Sequence, residues 1–347
     1  MKVSIVIPSR NELSLLSVTV RSILEELKAV EGDSEVVICD NSDEDIWRLL
    51  KTPNKSPLSL DYVRTGKVRL LHNDFASLYS ARQKAIEEST GEYVFNTDSH
   101  TIFGRDCIKD CIAFMDADKE KHVGMGFSPI GWVSAPESFA RGDIQLSEEG
   151  GIFGPWGRQY DKPTKICWNF GFRIMRRDWF MKELNGYSFF AKKRVSWGGG
   201  EFYAALKTWL LGKECWSIPS SPIYHIGPFS KEVENITGMR YRLYGGSGNG
   251  KVGIGILAAF YALGGDQAKK YIEQKNLKAI TQYGLNLTTD WEEAKRLAWS
   301  DHEWIKKHQV IDFWELLEKK PWMEGWGEDR WKSWKPEIQE TFSLNLL

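Results

Sequence analysis

The chain has 347 residues, enough for one large α/β domain with an appendage or for two small domains. Its 42% hydrophobic and 27% charged content is ordinary for a globular protein, and a formal charge of −1 excludes bulk electrostatic attraction to nucleic acid, though not a local basic groove. Five cysteines without paired C-x-x-C spacing read as reduced, buried thiols rather than a disulfide frame or zinc site.

Lys2 to Pro8 is a short β-rich run stopped by proline, the pattern of a buried strand. Leu13, Leu16, Val20, Ile23, Leu24 and Leu27 follow at helical spacing. Glu35 to Cys39 reads as a second strand ending at Asp40, Asp43 to Lys51 as a short helix, and Thr52 to Pro57 as a loop. Lys67 to Leu71 is a third strand, Leu78 to Ile86 a helix, and Glu92 to Asn96 a fourth strand leading into Asp98. Strands alternating with helices predict a parallel sheet with right-handed crossovers, and ligands of such sheets gather beyond the carboxyl ends of the strands. Residues 8–12, 40–42 and 98–100 are polar clusters that fall there.

Farther on, Asp106 to Lys121 reads as helix, Val123 to Phe127 as extended, Gly150 to Lys165 as loop and Ile166 to Met175 as strand. Arg176 to Asp178 opens a turn or helix, and residues 196–200 make a flexible turn into a helix over Glu201 to Leu211. Gly238 to Gly255 is glycine-rich and reads as a mobile loop; beyond it the chain is helical to about Lys320, with Thr289-x-x-Glu292 and Ser300-x-x-Glu303 in the capping-box pattern. The expected division is a catalytic α/β domain over 1–230 and a glycine-rich loop with a helical, Trp-rich region over 231–347. Eight of the 16 tryptophans fall at or after Trp291, where helical spacing favours packing in a small core over sugar or base stacking. The longest apolar stretch, Val252 to Leu263, is too short to span a bilayer. With no signal peptide apparent, a cytoplasmic protein with a non-membrane acceptor is the expectation.

The most informative feature is Asp98-Ser99-His100. On an extended strand a carboxylate and an imidazole two residues apart project to one side and can grip one divalent cation. An oxygen ligand with a nitrogen ligand suits Mn²⁺ better than Mg²⁺ or Ca²⁺. Such a cation neutralises a diphosphate, which points to chemistry on a nucleotide-activated group.

Ile7-Pro8-Ser9-Arg10-Asn11-Glu12, Asp40-Asn41-Ser42, Ala81-Arg82-Gln83, Gly91-Glu92-Tyr93 and Asp98-Ser99-His100, in that order, resemble the nucleotide-sugar half of GT-A glycosyltransferases of the family 2 type. The run Trp197-Gly198-Gly199-Gly200-Glu201, with Trp209, Gly212, Pro219 and His225, looks particularly like the polypeptide N-acetylgalactosaminyltransferases. The resemblance covers about the first two-thirds of the chain. It implies a Rossmann-like GT-A fold and a hexosyl- or N-acetylhexosaminyl-transferase using a nucleotide-sugar, a UDP-sugar first. Pro8, Arg10, Glu12, Asp40 and Arg82 match the donor-binding positions, with Asp40 at the base and Arg82 near the phosphates. Asp98, His100 and His225 match the ligands of Mn²⁺ (or another divalent cation such as Mg²⁺). Trp197, Gly199, Gly200 and Glu201 match the acceptor side.

Gln83 replaces the usual Asn, Asn41 replaces a second Asp, and the Trp-Gly-Gly-Glu motif carries an extra glycine. These departures leave the donor and metal chemistry and open the acceptor to protein, glycan or a modified nucleic acid base. Retention of the anomeric configuration is the expectation from the resemblance; an inverting enzyme would need Glu201 as general base. The reading from another class is a non-catalytic sugar-binding protein using the Trp-rich region, which would not need Asp98, His100 and His225 together.

Overall fold

The computed structural model describes residues 2–51, 66–120, 123–128, 130–132, 135–141, 156–158, 162–167, 172–191, 195, 198–226, 252–274 and 286–323. The N-terminal part alternates as expected: β1 (Val3–Ser9), α1 (Leu13–Glu26), β2 (Ser34–Asp40), α2 (Glu44–Lys51), β3 (Val68–His72), α3 (Leu78–Glu88) and β4 (Tyr93–Asn96). Then come β5 (Thr101–Phe103), α4 (Cys107–Ala117), β6 (Met125–Phe127), β7 (Ile130–Trp132), β8 (Ala135–Arg141), β9 (Trp156–Arg158), β10 (Thr164–Lys165) and β11 (Arg173–Arg176). A π-helical turn (Trp179–Glu183) leads toward α5 (Gly200–Leu210), β12 (Cys215–Ser217) and β13 (Ile223–His225). The C-terminal helices are α6 (Val252–Gly264), α7 (Gln267–Gln274), α8 (Thr289–His308) and α9 (Phe313–Lys319).

The main sheet has the order β10-β12-β6-β11-β4-β1-β2-β3. Its β3-β2-β1-β4 part is parallel, and β11 lies antiparallel between β4 and β6. All seven residues of β1 are buried, as a strand covered on both faces must be. Alternate residues feed two cores. Val3, Ile5, Ile7, Val36, Ile38, Tyr93 and Phe95 cluster with α1 and α4, whereas Val6, Val37, Cys39 and Val94 cluster with α3, α5 and the C-terminal helices. Each fully buried apolar side chain of this kind contributes about 1.5–3 kcal/mol. The chain winds outward from β1 to β3 and then crosses back to β4. The crevice at that reversal, beyond the carboxyl ends of β1 and β4, is where a ligand of such a sheet sits.

A second sheet, β5-β13-β7-β8-β9, pairs β13 antiparallel to β5 with His225 opposite Thr101. This ladder joins two segments of remote sequence at the crevice.

Several expectations are corrected. Asp98 to His100 lie in a bend after β4, not on an extended strand, so the two side chains meet through the bend rather than strand alternation. Gly150 to Lys165 contains the short strands β9 and β10, which owe their form to pairing with β8 and β12 rather than to local propensity. The strand expected over Ile166 to Met175 is confined to Arg173–Arg176 among the described residues. Gly238 to Gly255 is mostly outside the described residues, and its end is the start of α6. Neither capping box forms: Ser300 and Glu303 lie inside α8. That helix is instead entered through Asn286, whose Oδ1 accepts from the N–H groups of Thr288 (2.9 Å) and Thr289 (3.3 Å), while Asp290 Oδ2 accepts from Asn286 N–H (2.7 Å). Trp291 and Trp322 are fully buried in the second core and Trp322 packs against Trp209, as the packing role requires, whereas Trp299 on α8 is 52% exposed and departs from it. Trp326, Trp331 and Trp334 lie outside the described residues, as do 192–194.

Candidate metal and nucleotide-sugar site

The β5–β13 ladder sets His225 beside His100, and the N–H of Ile226 donates to the His100 carbonyl (2.9 Å). The two imidazoles meet edge to face, with Nε2 of His100 2.9 Å from Nε2 of His225. Asp98 Oδ2 lies 3.8 Å from His225 Nε2, and one donor atom from each of the three residues falls within 4.8 Å of the others. Burial, with the neighbouring His100, pushes the His225 imidazole down to about 3, so its nitrogen lone pair is available at neutral pH. One carboxylate oxygen and two imidazole nitrogens are a donor set that fits Mn²⁺.

Glu12 supports this cluster from behind. Its Oε2 is 2.6 Å from His100 Nδ1 and accepts from Ser99 Oγ at 2.6 Å. A carboxylate on Nδ1 fixes that nitrogen as the N–H and leaves Nε2 toward the cluster, the usual arrangement behind a metal-binding histidine. Burial lowers the His100 pKa, but the Glu12 charge and hydrogen bond, with Asp98, outweigh it and raise the group overall.

Arg82 joins this cluster to the helix beginning at Gly200. The guanidinium is 1% exposed; Nη2 donates to Asp98 Oδ1 (2.5 Å) and Nη1 to Glu201 Oε1 (2.8 Å). Burial pulls against its charge, and Asp98 and Glu201 more than offset that. Asp98 in turn is raised by burial but held below its ordinary value by Arg82 and the two histidines. Tyr79 hydroxyl donates to Glu201 Oε2 and accepts from Gly200 N–H (3.0 Å). Gly200 is required for that approach, because a Cβ there would come within 2.3 Å of the Tyr79 ring. Gly199 has a φ of +89°, a conformation suited to glycine. Trp197 lies outside the described residues.

Pro8, Arg10 and Asp40 form a second group at the ends of β1 and β2, where Pro8 pairs with Cys39 and Ser9 with Asp40. Asp40 is fully buried, its Oδ1 accepting from Ser42 N–H (3.0 Å) and its Oδ2 from Ser42 Oγ (2.8 Å). Burial raises its pKa against those contacts. Arg10 donates to the Asn41 carbonyl (2.9 Å) and to Asp43 Oδ1 (3.1 Å), knitting the two loops together.

Tyr79, Arg173 and Tyr187 were not singled out in the sequence. Tyr79 sits three residues before Arg82 on α3, the i,i+3 spacing that shares a helix face, and that was the available signal. Arg173 is buried and donates through Nη2 to Tyr187 hydroxyl; burial and the nearby Arg82 push it down to about 10. No local pattern marks these two, since they meet across the antiparallel strand β11.

The model of the family described as Glycosyl transferase family 2 matches residues 4–184, more than half of the chain. Among solved structures, GalNAc-T7 with UDP, GalNAc and Mn²⁺ is similar with a TM-score of 0.60 and 19% identity, covering 92% of this chain and 57% of that one. The present chain therefore spans little more than half of the GalNAc-T7 chain. Residues 1–349 of Staphylococcus aureus TarS give TM-scores of 0.45 alone and 0.49 with UDP, each at 12% identity over 88% of this chain and 90% of that one. No curated protein matches the sequence.

Proposed function

Because this chain belongs to glycosyl transferase family 2, we propose that it moves a sugar from a nucleoside-diphosphate donor, a UDP-sugar first, to an acceptor hydroxyl. One observation carries the reading. Asp98 and His100 are brought within 4.8 Å of His225, far away in the sequence, beyond the carboxyl end of β4 at the reversal of strand order. These three would hold Mn²⁺ or another divalent cation. When bound, the cation supplies positive charge against the diphosphate, where negative charge grows in the transition state. The UDP and Mn²⁺ of the GalNAc-T7 structure suit that donor set.

The chain's own residues divide the remaining work. Pro8, Arg10 and Asp40 line the nucleotide end, with the Asp40 carboxylate at the base. Arg82 would stand near the phosphates while it orients Asp98 and Glu201. Glu201, on the acceptor side with Gly199, Gly200 and Trp197, has one oxygen held by Arg82 and the other by Tyr79. A carboxylate engaged at both oxygens is poorly arranged to take a proton from an acceptor hydroxyl. That favours retention: the bond from the sugar carbon to the phosphate oxygen breaks with its electrons leaving on the diphosphate. The acceptor oxygen bonds to the same face, and its proton passes to the departing phosphate. Glu201 then orients the sugar.

The acceptor is a protein, a glycan or a modified nucleic acid base. No helix among the described residues is long and apolar enough to cross a membrane. Residues 1–230 would carry donor and metal chemistry, and the helical region after 231 would shape the acceptor side.

The test is a panel of nucleotide-sugars with Mn²⁺, with the product anomer read by NMR. We expect turnover of at least one UDP-sugar with retained configuration, and measurable residual turnover in Glu201→Gln. Absence of turnover or binding for every nucleotide-sugar contradicts the transferase reading. An inverted product, with Glu201→Gln inactive, would make Glu201 the base.

A further inference from the structure

The turn between the π-helical segment and α5 has unusual backbone. Asn185, Gly186 and Ser188 all have positive φ, at 59°, 55° and 53°. Asn185 is a residue type that adopts this conformation readily, but Ser188 is not, and its positive φ persists only where the surroundings hold it. Here the clamps come from two directions.

On the active-centre side, Tyr187 N–H donates to Gln83 Oε1 (3.0 Å), one residue past Arg82. Tyr187 hydroxyl accepts from Arg173 and from Asn96 Nδ2 (3.2 Å), two residues before Asp98. Its ring packs 5.4 Å from that of Tyr79, which holds Glu201. Tyr187 thus touches the supports of Arg82, Asp98 and Glu201 together.

On the opposite side, the turn is held by α8 and α5. Asp301 of α8 accepts from Phe189 N–H through Oδ2 (3.2 Å) and from Tyr203 hydroxyl through Oδ1 (3.3 Å). Lys207 of α5 is fully buried; its Nζ donates to Ser188 Oγ (3.1 Å), lies 4.5 Å from the Trp304 ring centroid, and is 4.0 Å from Asp301. A buried ion pair is a weak stabiliser compared with an apolar pair of the same volume. This one is also loose: its polar atoms are spent on Ser188, Phe189 and Tyr203 rather than on each other.

We infer that Asp301 and Lys207 are positioning residues that hold the 185–189 turn so that Tyr187 braces the floor beneath Asp98, Arg82 and Glu201. The C-terminal helix α8 is then a working part of the active centre rather than an appendage. The inference takes the reaction from the reading above, so its test includes a measurement that does not depend on turnover.

The experiment uses the full chain carrying Asp301→Asn or Lys207→Met, each verified as folded by circular dichroism. Hydrogen exchange is followed over residues 185–191 and 94–100, and kcat and KM are measured for hydrolysis of a UDP-sugar with Mn²⁺. Asp301→Asn should speed exchange in both segments and lower kcat about tenfold with little change in donor KM, since a displaced support costs rate before binding. Lys207→Met, which leaves the Asp301 hydrogen bonds to Phe189 and Tyr203 in place, should do the same to a smaller degree and decides the matter if Asp301→Asn does not fold. Wild-type exchange over 94–100 together with wild-type kcat would overturn the inference. If the native chain turns over no nucleotide-sugar, unchanged exchange over 94–100 overturns it alone, and faster exchange there upholds it.

Discussion

The helix that opens at Gly200 carries buried charge at both ends, and the two sets are built on different plans. At its start, Glu201 shares Arg82 with Asp98, and His100, His225 and Glu12 stand close by; the Asp98 side chain keeps 22% of its surface exposed. Two turns on, Lys207 and Asp301 have 0% and 5% of their side chains exposed and are closed in by Trp304 and Tyr203. Carboxylates hold the Arg82 charge firmly, whereas burial pushes the Lys207 ammonium down to about 8 against a single carboxylate at 4.0 Å. The first set gathers donor atoms on side chains that keep part of their surface exposed, 22% for Asp98 and 15% each for Glu201 and His225. The second is enclosed among the described residues and bears on the shape of the turn it holds.

The largest way to break that contrast is Arg82→Met, which leaves the mostly buried carboxylates of Asp98 and Glu201 without the guanidinium they share. It should lower unfolding free energy by about 3–5 kcal/mol, measured by urea denaturation. Saturating Mn²⁺ should return part of the loss, because a ligand bound only by the native state stabilises it. Lys207→Met, whose Asp98, His100 and His225 are untouched, should gain from Mn²⁺ only what the native chain gains. An unchanged urea midpoint in Arg82→Met would mean that the two carboxylates do not depend on the guanidinium.

A smaller and sharper change is Glu12→Gln. It should weaken Mn²⁺ binding about 10–100-fold by loosening the His100 tautomer, with the fold intact by circular dichroism. Equal Mn²⁺ affinity in native and variant chains would show that His100 needs no carboxylate behind it.

β1, β2 and β4 were legible because strands buried on both faces read as near-continuous apolar runs, β3 at the sheet edge from the shorter run Val68 to Leu71, and Asp98 with His100 from their spacing and their place after the fourth strand. The bend that carries them was not, since period-2 reasoning assumes that the strand continues past Asn96. Glu12 came from resemblance as part of the nucleotide loop, and its bonds to Ser99 and His100 depend on α1 packing against β5, a long-range event. Tyr79 lay within reach through its spacing to Arg82. Arg173 and Tyr187 did not: their meeting requires β11 to insert antiparallel beside β4, and although Asn185-Gly186 is a turn signal, the positive φ of Ser188 is one for which its residue type gives little warning. The spacing of the C-terminal tryptophans predicts packing, which Trp291 and Trp322 fulfil in a core that includes residues of α3 and α5 and which the exposed Trp299 does not.

The most direct measurement is calorimetric titration of Mn²⁺ in the presence of UDP into the native chain and into His225→Ala. If Asp98, His100 and His225 share one cation facing a diphosphate, the native chain shows a saturable UDP-dependent Mn²⁺ site that His225→Ala loses. Undiminished Mn²⁺ affinity in folded His225→Ala would contradict the account.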